Sequence, residues 1–355
     1  MTDQEPAITR ALRVLARGDS PGEALTAAAF GELMRGEASP VQTAALLMGL
    51  RVRGETAADL AGAVRAVRAA MVPVPVGDPD IVDTCGTGGG QIPTFNVSTA
   101  AALIAAGAGV RVAKHGNRSY TSRCGSADVL EALGVRIELS AEAAARLLDA
   151  AGMAFLFAPA FHPAMRFAAP VRRELAVPTL FNVVGPLANP AGVRRQVVGV
   201  ADRDRGPVVA EALRRLGVVH ALVVHGRAGM DEVSPNGPTD VWEVRGERVR
   251  TWTIFPEDHG IVAPALSELA GGDPQENAAR LERLVQRPAA DPAGRAAALL
   301  NAGAALYVSG LVSDVREGVQ KASIALDSGA AARALVRLRD ASASISASHQ
   351  PPRLE

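Results

Sequence analysis

The order of apolar and polar residues divides the chain into a helical N-terminal part and a longer part in which strands and helices alternate. From residue 6 to residue 72, apolar residues recur at helical spacing, as at Leu25, Phe30 and Leu33. The sequence VPVPVGDP then ends this pattern, because proline lacks an amide proton and disfavours helix before it. We therefore predict an all-helical domain over residues 1–72.

Three polar residues mark where helices of this domain should begin. Ser20-Pro21-Gly22-Glu23 and Ser39-Pro40-Val41-Gln42 each fit a capping box, with proline at the first helical position. Thr56 is a candidate cap for a further helix that ends near Met71.

Short apolar segments separated by helical ones follow, which is typical of parallel βαβ units. The predicted strands are residues 81–83, 110–113, 154–157, 196–200 and 221–224. Residues 241–255, with Gly246 in the middle, alternate like a hairpin and predict an antiparallel edge. Helices are expected again over residues 275–338.

These elements predict an α/β domain with a central, mostly parallel sheet flanked by helices, beside the small helical domain. The α/β domain is expected over residues 73–163 and 191–340. Residues 164–190 are helix-like and then proline-rich, and we predict that they return to the helical domain. The Ser- and Pro-rich residues 341–355 predict a disordered tail.

Composition narrows the classes of function. The formal net charge of the 355 residues is zero, which argues against a general affinity for nucleic acid or anionic lipid. Two cysteines make no disulfide framework and lack metal-ligand spacing. The start of the chain is acidic and polar, unlike a signal peptide, and the longest apolar stretch, residues 97–110, is too short to span a bilayer. We expect a soluble, cytoplasmic protein with no nucleic-acid or membrane partner.

A glycine-rich loop follows the first predicted strand. Glycines in GTGGG let backbone amides approach a phosphate, although a structural turn explains this short motif equally well. Asn96, Ser98 and Thr99 then precede an Ala-rich helix, whose free amides and dipole favour an anion. An ordinary helix cap is the alternative, and the two roles are compatible.

A second loop, KHGNRSYTSRCGS, follows the next strand, where ligands of open α/β sheets bind. Lys114 and Arg118 supply positive charge, Gly116 permits close approach, and several hydroxyl groups supply donors. A solvated connection is the alternative. His115 could orient a substrate or move a proton, but a merely hydrogen-bonded histidine fits its position at least as well.

Adjacent carboxylates, Asp231 and Glu232, lie in a later loop after the strand ALVVHG. Oxygen ligands at a strand end suit Mg²⁺, which is held through one or two carboxylates together with substrate phosphates. An Asp-Glu pair is also common on protein surfaces, so this interpretation depends on the neighbouring anion site.

Four blocks of the sequence together resemble the anthranilate phosphoribosyltransferase family. They are GTGGG-QIP-TFNVST, AKHGNRSYTSRCGSADVLEALG, FHPAMRFAAPVRRELAVPTLFNVVGPLANPA and GMDEVSP, in the order and spacing of the family. The resemblance implies a helical domain hinged to a larger α/β domain and a homodimer formed through the helical domain. It also implies the second step from chorismate in L-tryptophan biosynthesis, in which 5-phosphoribosyl 1-pyrophosphate (PRPP) and anthranilate give N-(5-phosphoribosyl)anthranilate and pyrophosphate.

The resemblance also implies roles for individual residues. The residues expected to hold PRPP are Gly86, Gly89, Gly90, Thr94, Asn96, Val97, Ser98, Thr99, Lys114, His115, Gly116, Asn117, Arg118, Ser119, Ser122 and Ser126. Those expected at anthranilate are Gly86, His115, Asn117, Pro163 and Arg172, with Arg172 drawn to its carboxylate. Ser98, Asp231 and Glu232 are expected to bind Mg²⁺, with two ions at each active site. No residue is expected to act as a covalent nucleophile or an obligatory acid or base, and His115 is the candidate for proton transfer.

One position departs from the family pattern. Where the family usually has GTGGDG, this chain has Gly90-Gln91, so a carboxylate is missing and we expect altered Mg²⁺-PRPP binding. Two other functions compete with the transferase. A pyrimidine nucleoside phosphorylase would share the fold and the anionic sugar site but need no Mg²⁺, and a non-catalytic relative would bind nucleic acid on the same scaffold.

Overall fold

A computed structural model describes residues 5–77, 80–119 and 123–347 of the chain. The α-helices in these residues are α1 Ala7–Leu15, α2 Gly22–Arg35, α3 Pro40–Arg53, α4 Ala57–Ala70, α5 Val97–Gly107, α6 Ser126–Ala132, α7 Ala141–Ala151, α8 Ala158–Phe161, α9 Ala169–Leu175, α10 Phe181–Leu187, α11 Arg205–Arg215, α12 Pro274–Gln286, α13 Pro292–Ser309, α14 Val315–Asp327 and α15 Ala330–Ala347. The strands are β1 Val82–Gly86, β2 Val112–Gly116, β3 Met153–Phe157, β4 Arg195–Gly199, β5 His220–Gly226, β6 Thr239–Arg245 and β7 Arg248–Ile254. None of the helices in the described ranges is long and apolar enough to cross a membrane.

The N-terminal helices begin close to the predicted caps, but one capping box is wrong. Ser39 and Thr56 each form a complete capping box, at the starts of α3 and α4. Ser20 forms no capping box, because the N-cap position of α2 is Pro21; the Ser20 hydroxyl accepts from the amide of Gly22 at 3.1 Å and donates to the buried carboxylate of Asp59 at 2.7 Å. Glu23, the predicted partner of Ser20, forms an ion pair with Arg65 at 2.7 Å instead.

A seven-stranded sheet in the order β3-β2-β1-β4-β5-β6-β7 forms the centre of the larger part. The first five strands are parallel, and β6 and β7 add an antiparallel edge, so the predicted mixed sheet and hairpin are confirmed. β1 and β2 each run three residues further than predicted, because Gly86 stays paired with Gly199 and Gly116 with Phe157. Both glycine-containing loops therefore start at the carboxyl edge of the sheet.

Alternate residues of the central strands pack on opposite sides of the sheet, as the period of a strand requires. Val197 and Leu222 belong to a core built with α5 and α13. Val198 and Val223 face the other way, into a core that continues through α11 to the N-terminal helices. The sheet is thus covered by helices on both faces, which is the arrangement expected of a mostly parallel sheet.

The antiparallel edge is joined to α13 by a buried carboxylate. Glu243 on β6 accepts hydrogen bonds from His220 at 3.0 Å, Tyr307 at 2.8 Å, Arg250 at 2.9 Å and Trp252 at 2.8 Å. Burial alone would raise the pKa of Glu243, but these hydrogen bonds outweigh burial and lower the pKa to about 2.

The segment after β3 packs against the N-terminal helices. A short 3₁₀ helix, Pro163–Phe167, contacts α2, α9 contacts α3, and α10 contacts α4. The rings of Phe30 and Phe181 lie 5.4 Å apart at this junction. These contacts support the predicted return of residues 164–190 to the helical domain.

The chain passes between its helical part and the sheet three times, after α4, after β3 and after α10. Backbone hydrogen bonds join these crossings side by side. The amide of Val72 donates to Phe161 at 2.8 Å, and the amide of Val74 donates to Pro190 at 2.9 Å. Backbone hydrogen bonds therefore hold the three connections next to one another.

The predicted disordered tail is wrong for residues 341–347, which continue α15 to Ala347. Alanine is the strongest helix former and serine a weaker one, and tertiary contacts add to this preference. Ser342 is fully buried, and its hydroxyl accepts from the amide of Arg136 at 3.0 Å. Residues 348–355 lie outside the described part of the chain.

Candidate active site

Helix α5 starts at the carboxyl edge of the sheet without a side-chain cap. Asn96 occupies the cap position but makes no cap hydrogen bond, so an ordinary N-cap is wrong as the explanation of this residue. Its amide group donates to the Cys124 carbonyl at 3.3 Å and accepts from Asn277 at 2.9 Å. The side chain thus joins the start of α5 to the loop after β2, and the helix dipole is left to face an anion.

A buried cation lies directly behind this helix start. Lys114 is only 2% exposed, and its ammonium donates to the Thr84 carbonyl and, at 3.1 Å, to the hydroxyl of Ser98. Burial lowers the pKa of Lys114, although nearby carboxylates oppose that effect. The sequence placed Lys114 and Ser98 in one anion site, and the structure brings them into contact.

The acidic pair lies on the other side of Ser98. Ser98, Asp231 and Glu232 line one small cavity of about 10 Å³, which is room for roughly one water molecule. The hydroxyl of Thr94 donates to Glu232 at 3.1 Å. Burial and the charge of Asp231 raise the pKa of Glu232 to about 8, and burial also raises the pKa of Asp231. The charge of nearby Lys114 offsets only part of this effect at Glu232.

This donor set suits Mg²⁺. Hydroxyl and carboxylate oxygens are hard ligands, and a cation would offset the cost of burial that raises both acidic pKa values and the repulsion that Glu232 feels from Asp231. Among the residues that the structure describes, no group of three or more His, Cys, Asp or Glu side chains could hold a metal ion by itself. A magnesium ion here would therefore need further oxygen ligands from a bound substrate.

Glycine residues lie where the loops approach Asp231. A Cβ atom on Gly199 would overlap the backbone carbonyl oxygen of Asp231 and lie 2.6 Å from its carbonyl carbon. A Cβ atom on Gly86 would lie 3.1 Å from one carboxylate oxygen of Asp231, and one on Gly90 would lie 2.7 Å from the other. Gly89 has a φ of 82° and open space beside it. The glycine-rich loop is therefore folded over the first acidic residue.

The loop after β2 is held by a carboxylate that the sequence analysis missed. Asp128 accepts hydrogen bonds from the amides of Ser119 at 3.1 Å and Gly125 at 2.8 Å, and it pairs with Arg118 at 3.1 Å. Its position three residues after Gly125, at the start of α6, is the signal that could have revealed it. These hydrogen bonds and the ion pair within the loop favour an ordered loop over a solvated connection.

Two further glycines allow close packing within the same loop. A Cβ atom on Gly116 would overlap the hydroxyl of Ser126 and lie 2.8 Å from the ring of Phe155. A Cβ atom on Gly125 would lie 2.7 Å from the carbonyl carbon of Arg118. The predicted residues Gly116 and Ser126 are therefore neighbours.

The remaining predicted residues of this loop have distinct positions. The side-chain oxygen of Asn117 accepts from the amide of Arg118 at 2.8 Å. The Arg118 guanidinium pairs with Glu131 as well as Asp128 and lies 5.5 Å from the centre of the Phe157 ring. Ser122 lies outside the described residues.

Two buried histidines lie at the start of this loop. The ring centres of His115 and His162 are 5.1 Å apart, and Nε2 of His115 has no hydrogen-bond partner. Burial, followed by the neighbouring His162, lowers the pKa of His115 to about 3. Burial lowers the pKa of His162 to about 4. Both rings are thus neutral near pH 7, and the sequence analysis missed His162 although it precedes the predicted Pro163.

Other predicted residues are less directly joined to the loops. Val97 and Thr99 are buried in the first turn of α5, and the hydroxyl of Thr99 has no hydrogen-bond partner. Pro163 is exposed next to His162. Arg172 lies on α9, where its guanidinium stacks over the Phe181 ring at 5.3 Å. The structure therefore unites the predicted PRPP and metal residues more closely than the predicted anthranilate residues.

Two family models match successive parts of the chain. Residues 9–71 match the family model described as the helical bundle domain of a glycosyl transferase family, and residues 78–332 match its a/b domain.

Named relatives cover nearly the full length of the chain. The anthranilate phosphoribosyltransferase of Rubrobacter xylanophilus is 52% identical over 93% of this chain and 96% of its own length. The crystal structure of the Thermus thermophilus anthranilate phosphoribosyltransferase has a TM-score of 0.89 and 42% identity, over 95% of this chain and 99% of its own. The Saccharomyces cerevisiae enzyme in complex with PRPP and Mg has a TM-score of 0.86 and 29% identity, over 96% and 99%. This chain belongs to the anthranilate phosphoribosyltransferase family.

Proposed function

We propose that this protein transfers the 5-phosphoribosyl group of PRPP to the amine of anthranilate and releases pyrophosphate, as a step of L-tryptophan biosynthesis. The observation that carries this proposal is the 52% identity to an anthranilate phosphoribosyltransferase over 96% of that enzyme. The juxtaposition of Lys114, Ser98 and Glu232 at the carboxyl edge of the sheet supports it. Neither a phosphorylase nor a nucleic-acid-binding relative is favoured by a specific observation.

PRPP binds, in this proposal, between the glycine-rich loop and the loop after β2. The uncapped start of α5 receives phosphate oxygens, and buried Lys114 adds positive charge behind Ser98. The remaining PRPP ligands are proposed as the sequence analysis assigned them. They are Gly86, Gly89, Gly90, Thr94, Asn96, Val97, Thr99, His115, Gly116, Asn117, Arg118, Ser119, Ser122 and Ser126.

Ser98, Asp231 and Glu232 would hold Mg²⁺, with phosphate oxygens of PRPP completing its ligands. When bound, Mg²⁺ supplies positive charge that offsets the charge developing on the leaving pyrophosphate. We propose two ions at each site, and a calorimetric titration of Mg²⁺ with PRPP present measures that number.

The anthranilate amine attacks the anomeric carbon of the ribose as pyrophosphate leaves. Neutral His115, together with His162, lines the acceptor side and orients the ring, because a pKa of about 3 makes His115 too weak a base to take the proton that the amine loses, which passes to the leaving pyrophosphate or to solvent. Gly86, Asn117 and Pro163 complete this side, and Arg172 attracts the carboxylate of anthranilate. Holding both substrates in place contributes proximity and excludes water.

We also propose a cytoplasmic homodimer formed through the helical domain. Val41 is 78% exposed and Val52 81% exposed on α3, which gives that helix an apolar outer surface. The two free cysteines agree with a reducing compartment. Sedimentation velocity of the purified protein measures the mass, and a monomer at micromolar concentration would contradict the dimer.

Loss of anthranilate fluorescence tests the reaction. Purified protein with PRPP and Mg²⁺ should consume anthranilate, and EDTA should stop the loss. Folded protein that binds PRPP but leaves anthranilate unchanged would refute the proposed activity.

Arg172→Ala tests the acceptor side. It should raise the KM for anthranilate about tenfold or more and leave the KM for PRPP near the wild-type value, because the contact with the carboxylate of anthranilate is lost. The conservative control is Arg172→Lys, which keeps the charge but not the planar guanidinium. An unchanged KM for anthranilate with weakened PRPP binding would contradict the assignment.

A further inference from the structure

The two central strands of the sheet separate towards their carboxyl ends. β1 pairs with β4 at five positions and β2 pairs with β3 at five positions, whereas β1 pairs with β2 only at Val82–Val112. A regular parallel ladder would continue with hydrogen bonds from Thr84 to Ala113 and His115. The gap opens where the two predicted phosphate loops begin.

Side chains hydrogen-bond to backbone groups that face this gap. The pairs are the His115 amide with Asp83 Oδ1 at 3.2 Å, the Ala113 carbonyl with Asn189 Nδ2 at 2.8 Å, and the Thr84 carbonyl with the Lys114 ammonium. Buried backbone groups need such partners, so the separation of the strands is stabilised rather than accidental.

Asn189 is the residue that connects these contacts. Its Nδ2 also donates to Asp83 Oδ2 at 2.8 Å, and its Oδ1 accepts from the amide of Ala191 at 2.9 Å. Asn189 is 1% exposed and lies in the crossing from α10 to β4. The side chain therefore bonds this crossing to both separated strands.

Asp83 depends on Asn189 because it is fully buried. One of its oxygens receives the Asn189 amide and the other receives the His115 amide. Loss of the Asn189 donor leaves one buried carboxylate oxygen without that bond, which favours a rotation of the Asp83 side chain away from the His115 amide. The start of the loop after β2 would then lose its anchor.

We propose that Asn189 is a positioning residue for PRPP, which acts through Asp83 to hold the loop after β2 at the separation from β1 that the phosphorylated substrate requires. This inference rests on the proposed function for the identity of the substrate. It assigns Asn189 no contact with the reacting atoms.

The first test needs no ligand. Hydrogen exchange of the amides of residues 115–117 is compared in wild-type protein, Asn189→Ala and the control Asn182→Ala. Asn182 lies on α10 and accepts from the amide of Thr179 at 3.1 Å, away from the strand gap. Exchange at His115 should be at least about tenfold faster in Asn189→Ala and unchanged in the control. Equal exchange in all three proteins would overturn the inference.

The second test measures PRPP binding by calorimetry in the presence of Mg²⁺. Asn189→Ala should weaken binding about tenfold, and Asn189→Ser, which keeps one donor, should lose less. The double variant Asp83→Asn/Asn189→Ala should lose no more PRPP affinity than the more damaging single variant, because both substitutions interrupt the same series of contacts.

The outcomes separate a positioning role from a structural one. Asn189→Ala or Asn189→Ser protein that melts earlier but binds PRPP as wild type would overturn the inference, as would additive losses in the double variant. Failure of the proposed function looks different, because wild-type protein itself would then either not bind PRPP or not consume anthranilate in its presence.

Discussion

Gly199→Ala is the substitution whose effect follows most directly from the geometry of the site. Gly199 ends β4, and the backbone of Asp231 packs against its α-carbon. The added methyl group would lie 2.6 Å from the carbonyl carbon of Asp231 and overlap its oxygen. Carbon atoms pack at about 3.5–4.0 Å, and the overlap with the oxygen is deeper than that with the carbon, so the two segments must separate by roughly 1–2 Å.

This displacement predicts two measurable losses. Overpacking of this kind costs about 1–3 kcal/mol, and we expect the upper end of that range because both partners are backbone rather than mobile side chains. Asp231 and Glu232 would move with the backbone, and a shift of about 1 Å at a site can cost roughly 10²-fold in kcat/KM. Urea unfolding measures the first loss and the anthranilate fluorescence assay measures the second.

Gly77→Ala provides the matched control. It adds the same methyl group where no atom lies within 4 Å, so both stability and activity should stay at wild-type values. If Gly199→Ala kept its urea midpoint and its kcat/KM within twofold of wild type, the requirement for glycine against Asp231 would be refuted.

Three other changes probe the loops and the sheet edge. Gly116→Ala should destabilise the protein by about 1–3 kcal/mol, because its methyl group would lie 2.8 Å from the Phe155 ring, and thermal unfolding against Gly77→Ala measures this loss. Gly90→Asp should lower the urea midpoint in EDTA and regain it with Mg²⁺, because its Cβ would lie 2.7 Å from Asp231 Oδ1; equal midpoints in both buffers would contradict this. Glu243 has a pKa of about 2, below its unfolded value, so its stabilisation is complete above about pH 4.5 and is lost as the pH falls towards 2. Between pH 5 and pH 2, the free energy of unfolding of Glu243→Gln, measured with urea, should therefore fall by up to about 3 kcal/mol less than that of the wild type. Parallel pH curves for the two proteins would show that Glu243 does not carry this dependence.

Local patterns in the sequence were sufficient to predict most of the fold. Capping at Ser39 and Thr56, the parallel strands and the hairpin around Gly246 all depend on residues close together in the chain. Ser20 forms no capping box, and its hydroxyl donates to Asp59, which lies 39 residues away. The sequence around Ser20 does not predict this distant hydrogen bond.

Residues that position the site were harder to predict for the same reason. Asn189 meets Asp83 across 106 residues, and Asn277 meets Asn96 across 181. Nothing in the neighbouring sequence predicts such pairs. The predicted phosphate loops can be recognised locally, because glycines and hydroxyl residues follow a strand directly. The resemblance supplied residue roles that the pattern alone left open, as at Arg172, and the structure gives it a stacking contact with Phe181.

The return of α9 and α10 to the N-terminal helices has a consequence for how the chain folds during synthesis. Helices α1–α4 are complete at residue 70, but Phe181 and its neighbours, which cover their apolar side, follow more than a hundred residues later. At about 5–20 residues per second, these helices wait roughly 5–25 s with Phe30 uncovered. During that interval the nascent N-terminal segment presents an apolar surface to chaperones and to other emerging chains.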